Sequence, residues 1–275
     1  MLRLGRDYLL ISGMLIVGVV VTATILAPFV APFDPTAPTP AERLQPPGPP
    51  YYMGTDQLQR DVFSRMIYGG RIPILVAVLS CAISLVGGTL LGWIAGFAGG
   101  RLDRVLSLVM DAIYSFPALI LAIAIVAMLG PGLANMIAAI AFVYIPTYFR
   151  VARGQVLAVR VQEFVEASRA LGASRARTLF RHIAPNTLPA VMTVPSFNIA
   201  DAILTEAALS FLGFGLPPPT PDWGFDIQNG QKFLQAGFWW LITFPGLMII
   251  LLSVGFGMIG EGTNDRLNPR RRRAA

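Results

Sequence analysis

Apolar residues run through this sequence in six long blocks instead of alternating with polar ones. The blocks extend roughly from Leu9 to Phe33, Ile72 to Phe97, Val105 to Leu129, Leu133 to Val151, Leu188 to Leu212 and Phe238 to Ile259. Crossing about 30 Å of hydrocarbon takes about 20 mostly apolar residues in a helix, and each block meets that length. The pattern predicts an all-α integral membrane protein with six transmembrane helices. Arg3 and Arg6 precede the first block as they would in a secretory signal. Its apolar run far exceeds the about 7–15 residues of a signal core, so a retained anchor is predicted.

The segments between blocks are polar or turn-rich. Prolines at 35, 38, 40, 46, 47, 49 and 50 predict an extended stretch without regular structure. After it, Leu58, Val62, Phe63, Met66 and Ile67 share one helical face, with Arg60, Asp61, Ser64 and Arg65 opposite. That pattern predicts a short amphipathic helix, begun by Asp56 and Gln59, lying in the outer interface or packed on the protein's own outer rim. The loop from Gly213 to Gly237 carries Pro217, Pro218, Pro219 and Pro221. The predicted organisation is an anchor, Pro-rich segment and interfacial helix over 1–71, a transmembrane domain over 72–262 and a basic tail over 263–275.

Composition narrows the class. Of 275 residues, 13% are charged and 55% belong to AVILMFWYC, with mean hydropathy +0.63. Soluble domains carry about 25% charged residues. A disordered chain, a nucleic-acid module and most cytosolic enzymes are excluded. One cysteine, Cys81, excludes a disulfide framework, and one histidine, His182, excludes a His-based metal site. The net charge of +6 sets orientation. With both termini cytoplasmic, sixteen basic residues lie inside and five (Arg43, Arg60, Arg65, Arg71, Lys232) outside. The positive-inside rule therefore predicts cytoplasmic N- and C-termini.

Within the blocks, Ser80, Ser84, Gly88, Gly92 and Gly96 place a small residue at every fourth position. Such a stripe lets a neighbouring helix approach closely, which in lipid replaces the hydrophobic drive between helices. Pro117, Pro146, Pro195 and Pro245 fall in four other blocks and predict kinks. The fifth block holds Asp201 and Glu206. A carboxylate near the bilayer centre costs about 2.5–3.5 kcal/mol, so this helix must be buried against other protein. Glu206 lies nearer the outer interface, and five residues turn the two about 140° apart. One is predicted to face a water-filled route and the other to pair with a neighbouring helix. Asp111 is the third candidate carboxylate.

Residues 160–185 form a long polar loop. Arg160/Glu163 and Glu166/Arg169 are opposite charges at i,i+3 in a predicted helix, Gly172 suits its C-cap, and Ser174 caps a second short helix ending before Pro185. Phe164 and Leu171 share a face with the small Ala167 and Ser168 between them, a surface suited to a groove on another protein.

Glu166-Ala167-Ser168, Gly172 after three intervening residues, and Pro185 at the matching distance resemble the EAA loop of ATP-binding-cassette importer permeases. The departures are Ser168 for the second alanine, His182 for the usual isoleucine and Ala184 for the usual leucine. Gly54-Thr55-Asp56, Arg60-Asp61, Ser64-Arg65 and Gly69 before Arg71 are similar to the peptide/nickel branch, with Gln59 where glycine is usual. So are Phe116-Pro117, Leu129-Gly130-Pro131-Gly132, Arg153-Gly154-Gln155, Glu206 with Ser210-Phe211-Leu212-Gly213, and Pro221-Asp222-Trp223-Gly224. Their order and spacing resemble the C-type permease subunit of dipeptide/oligopeptide importers over nearly the whole chain.

The resemblance implies type I importer architecture in a bacterial inner membrane. It implies a second, different permease subunit enclosing the translocation route, and two ATP-binding subunits that carry the ATP and magnesium. An extracytoplasmic substrate-binding protein would deliver the substrate. Within the permease domain, the loop 152–187 would couple to an ATPase cleft through Phe164, Glu166, Ala167, Ser168, Leu171, Gly172 and Pro185. The chain has no Gly-x-x-x-x-Gly-Lys-Ser/Thr loop and would be a conduit without chemistry or cofactor of its own. Nickel-chelate or glutathione import remain alternatives of the same family, and an ion-coupled secondary transporter is the alternative from another class.

Overall fold

The protein is described here by a computed structural model covering residues 2–267, with side chains over residues 8–265. Arg3 and Arg6, and Arg266, Arg270, Arg271, Arg272 and Arg273 of the basic tail, have side chains outside the described residues. The described chain is helical without a strand, apart from isolated bridges pairing Gly48 with Tyr51 and Thr55 with Asp61.

In chain order the helices are α1 (Leu2–Ile25), the single turn α2 (Ala27–Val30), α3 (Val62–Gly69), α4 (Arg71–Ala98), α5 (Gly100–Tyr114), α6 (Ala118–Leu129) and α7 (Leu133–Val159). There follow α8 (Glu163–Ala170), the short α9 (Arg175–Arg177), a π-helical turn (Thr178–Ile183), α10 (Ala184–Val191), α11 (Pro195–Phe211), α12 (Trp223–Gly230), a 3₁₀ turn (Gln231–Ala236) and α13 (Trp240–Leu267). The first, second, fourth and sixth apolar blocks become helices long and apolar enough to cross a bilayer.

The third and fifth blocks are each broken. α5 and α6 meet at 91° around Phe116-Pro117, and the Arg175–Val191 helix meets α11 at 55° just before Pro195. A proline disfavours helical geometry in the residue before it and offers no donor, so a helix readily ends there and a new one starts with proline in its first turn. Pro146 and Pro245 lie inside the continuous helices α7 and α13. Chain context, not proline itself, separates a break from a tolerated interior site.

The stripe on α4 is the seam of the core. Ser80, Ser84, Gly88, Gly92 and Gly96 are all buried, and from Ser84 onward they face α7. A side chain added at Gly92 would stand 2.5 Å from the Phe149 carbonyl oxygen, and one at Gly96 would stand 3.0 Å from that of Arg153. The Ser84 hydroxyl donates to the Ala141 carbonyl at 2.9 Å. The contacts on α7 thus advance by about four residues per step along both helices, the register of i,i+4 ridges lying side by side. A second close approach, which the sequence pattern did not reveal, joins the two ends of the chain. Gly13 on α1 faces α13 so closely that an added side chain would stand 2.7 Å from the Gly255 carbonyl oxygen.

The Pro-rich segment is extended but tied down. Thr39 donates through its amide and its hydroxyl to the Gln59 carbonyl at 2.8 and 2.7 Å, and the Thr55 hydroxyl donates to Glu42 O at 2.7 Å. Asp56 does not start a helix. Its carboxylate organises the preceding turn, accepting from the Leu58 and Arg60 amides and, at 2.6 Å, from the Arg60 guanidinium. The cap of α3 is Asp61, which accepts from the Ser64 amide at 2.7 Å. Both faces of α3 are buried: Val62, Met66 and Ile67 on one, Ser64 and Arg65 on the other. The predicted amphipathic helix therefore lies inside the protein, because its polar face meets charge. Arg65 pairs with Asp226 of α12 at 2.6 Å and donates to the Pro35 carbonyl at 2.9 Å. Burial pushes the Asp226 carboxyl up from its ordinary range, against the pull of Arg65.

Candidate functional site

Two surfaces carry the residues singled out in the sequence. The first is α8. Val165 is fully buried in a small apolar cluster with Val156, Val159, Leu179 and Ile183, which roots the helix on the end of α7. Ser168 turns inward beside it. The opposite face stands free: Phe164 is 40% and Leu171 89% exposed, and Glu166 and Ala167 are exposed between them. Gly172 adopts φ +81° and closes the helix with two bonds, its own amide to Arg169 O at 2.9 Å and the Ala173 amide to Ser168 O at 3.1 Å. This is the paired 6→1 and 5→2 closure for which a left-handed residue is required.

Two local expectations in this loop differ from the structure. Arg160 and Arg169 do not pair with Glu163 and Glu166 within ion-pair distance. Arg160 instead donates to the Gly96 carbonyl at 2.8 Å, and the Arg169 guanidinium sits 5.8 Å from the Phe97 ring centre. An exposed ion pair is worth little, whereas the carbonyls ending α4 hold a standing partial negative charge. The helix begun at Ser174 also does not end before Pro185. Ser174 does cap it, accepting from the Arg177 amide, but the chain runs on through the π-helical turn into α10 with Pro185 in that helix's first turn. The widened turn takes up the missing donor. Pro185 is exposed.

The second surface is a cleft of 430 Å³ where the α5–α6 corner, α7 and α11 meet. Tyr114, Phe116, Tyr144, Thr147, Asn198 and Asp201 line it. Asp201 is exposed there, and one of its oxygens accepts from the Tyr144 hydroxyl at 2.7 Å. That phenol lies 3.1 Å from the Thr205 hydroxyl, which in turn donates to the Asp201 carbonyl at 2.9 Å. Asp201 is thus held from its own helix and from α7.

The other two candidate carboxylates lie elsewhere. Asp111 pairs with Arg150 at 3.0 Å on an open surface, with that guanidinium stacked 4.1 Å from the Tyr114 ring centre. Glu206 lies fully buried facing the Asp222 carboxyl, and neither of its oxygens accepts from an N–H or hydroxyl donor. Counting residues along the helix predicts a place nearer the outer interface, where a carboxylate costs less. The loop after α11 folds back instead, with Asp222 capping α12 and accepting from the Ser210 hydroxyl at 2.8 Å, and closes over Glu206. The cleft residues other than Asp201 were missed in the sequence, although a signal existed. Asn198, Asp201 and Thr205 form a polar row at i, i+3 and i+7 in an apolar span. Among the described residues no three His, Cys, Asp or Glu side chains gather as a metal site would need.

The family described as binding-protein-dependent transport system inner membrane component matches residues 88–273, and the N-terminal transmembrane domain of oligopeptide transport permease C matches residues 1–47. The dipeptide transport system permease protein DppC of Alkalihalophilus pseudofirmus is 38% identical, over 98% of this chain and 88% of its own length. The di/tripeptide transport system permease protein DppC of Pseudomonas aeruginosa is 38% identical over 96% and 89%. The probable D,D-dipeptide transport system permease protein DdpC of Escherichia coli is 39% identical over 95% and 88%. With an exposed helix rooted on the core, a polar cleft between its bent spans and likeness along nearly all its length, the chain belongs to the inner-membrane permease family of binding-protein-dependent transport systems.

Proposed function

We propose that this permease subunit carries di- and oligopeptides inward, supplying half of a route completed by a second, different permease subunit. Two ATPase subunits bind the ATP and magnesium, and a binding protein on the outer side presents the peptide near the 34–61 and 213–237 segments. The termini and the 160–185 loop face the cytoplasm. The single observation that carries this reading is the mounting of α8: Val165 anchors it while Phe164, Ala167 and Leu171 stand outward. A helix clamped on one side and apolar on the other suits a groove on a moving partner. A push on it reaches α7 and, through the α4 stripe, the membrane core.

The only cysteine, Cys81, is buried, so a single introduced cysteine reports cleanly. Leu171→Cys in the assembled transporter is expected to cross-link to an ATPase subunit and to react with impermeant maleimide only in inside-out vesicles. Labelling in right-side-out cells would overturn the orientation, and absence of the cross-link would overturn the coupling role. Uptake of radiolabelled dialanine that needs ATP and the binding protein tests the substrate class.

A further inference from the structure

We propose that Asn198 and Asp201 form a subsite for the amino-terminal end of a peptide in passage, Asp201 taking the ammonium group and Asn198 the first carbonyl oxygen. This rests on the peptide reading above and goes beyond it by assigning residues and a recognised group. Asp201 is the anchor. The Tyr144 hydroxyl satisfies one oxygen at 2.7 Å, while the other takes no hydrogen bond, and no Arg, Lys or His among the described residues pairs with it. Arg150, stacked on the Tyr114 ring at the cleft, is already engaged by Asp111.

A carboxylate exposed inside a span cannot face hydrocarbon without a cost of about 2.5–3.5 kcal/mol, so it faces water or a positive group. Asn198 supplies the second, independent observation. It lines the same cleft with 8% of its surface exposed, and its amide nitrogen, buried near the Tyr148 hydroxyl, makes no well-formed hydrogen bond.

The two side chains are three apart on α11, so their Cβ atoms lie about 5–6 Å from one another on one helix face. One then offers a negative acceptor and the other a donor, at a spacing that fits an ammonium group and the carbonyl next to it. A bare metal ion fits less well, since one carboxylate gives too few oxygens for calcium or magnesium. The phenyl ring of Phe116 and the phenol of Tyr144 give the cleft an apolar wall, and rings of this kind also attract an ammonium group. The volume of 430 Å³ lies within the range of about 300–1,000 Å³ typical of small-molecule sites.

The test reads occupancy of the cleft directly. Thr147→Cys places a reporter thiol in its lining, and the assembled transporter is exposed to maleimide with millimolar dialanine or N-acetyldialanine. Dialanine is expected to slow labelling at least fivefold, and N-acetyldialanine, which lacks the ammonium group, less than twofold. Asp201→Asn in the reporter background should abolish the protection while the subunits still co-purify, Asp201→Glu should keep part of it, and Asn198→Leu should weaken it. Equal protection by both peptides, or full protection in Asp201→Asn, overturns the proposal. So does a reporter thiol that never reacts, or loss of subunit co-purification in Asp201→Asn, which would make Asp201 a contact of the partner permease. If the wild-type transporter imports no dialanine, the peptide reading itself fails. Import without Asp201-dependent protection removes the subsite alone.

Discussion

Replacing Gly92 by alanine tests whether close backbone contact holds the two central helices together. The added Cβ would lie 2.5 Å from the Phe149 carbonyl oxygen, 2.9 Å from the Ala152 Cβ and 3.0 Å from the Arg153 amide nitrogen. Ordinary contact begins at about 3.4 Å, and two of the three obstacles are backbone, so no rotamer change relieves them. α7 must retreat by about 0.9 Å, a gap that forfeits about a quarter to a half of each dispersion contact it opens. At Gly96 the nearest atom is 3.0 Å away and the retreat is smaller, while at Gly87 the nearest is 3.9 Å away and no retreat is needed. Alanine gains about 0.8–1 kcal/mol of helix propensity over glycine at every site, so differences between the variants isolate packing. Overpacking of this kind costs about 1–3 kcal/mol. At about 2–4 °C per kcal/mol, Gly92→Ala should melt roughly 2–12 °C below Gly87→Ala, with Gly96→Ala between them. Thermal unfolding of the purified permease in detergent, followed by tryptophan fluorescence, gives the comparison. Equal melting temperatures for Gly92→Ala and Gly87→Ala would refute the packing argument.

Arg65→Met leaves the buried Asp226 carboxylate without its partner and should cost about 3–5 kcal/mol, read as a lower melting temperature. The double variant Arg65→Met/Asp226→Leu should recover most of that loss, and failure to recover would mean that the pair itself adds net stability. Gly172→Ala forces a left-handed φ on a residue with a Cβ at about 1–2 kcal/mol, whereas Gly172→Asn costs less. Amide exchange in the 163–173 peptide should quicken most in the alanine variant and less in the asparagine variant, and identical rates would count against the closure described for α8. Leu171→Ser should leave the stability within about 0.5 kcal/mol of wild type, because the side chain is solvent-exposed in the isolated chain. It should weaken co-purification of the ATPase subunits by about tenfold or more, as for an interface hot spot. Unchanged co-purification would move the contact off Leu171.

Features set by local composition were legible in the sequence. Unbroken apolar runs allow only helices in a bilayer, since every backbone group must find its partner within the segment. The four-residue repeat of Ser80, Ser84, Gly88, Gly92 and Gly96 marks a seam because small side chains at that period line one helix face. Gly172 was readable as a helix end because glycine alone adopts left-handed geometry without penalty. Gln59, which stands where a glycine is usual, adopts φ +63° and is held there by its own contacts, the carbonyl accepting from Thr39 and the side chain donating to Ala41 O at 2.9 Å. The position needs the conformation, and here tertiary hydrogen bonds offset the strain.

Everything that depended on which surfaces meet was decided by the tertiary structure. Four prolines look alike in sequence, yet two break helices and two sit within them, since the cost of a lost backbone bond depends on what surrounds the freed carbonyl. Glu206 is sealed because the loop after α11 returns over it, and Asp201 is open because the bent α5–α6 pair leaves a cleft beside α11. Arg65 reads as the polar face of an amphipathic helix until Asp226, far away in sequence, supplies the opposite charge. Period and composition determine what each helix is, because those interactions are local. The burial of a charge is determined by partners far along the chain, whose positions no local pattern encodes.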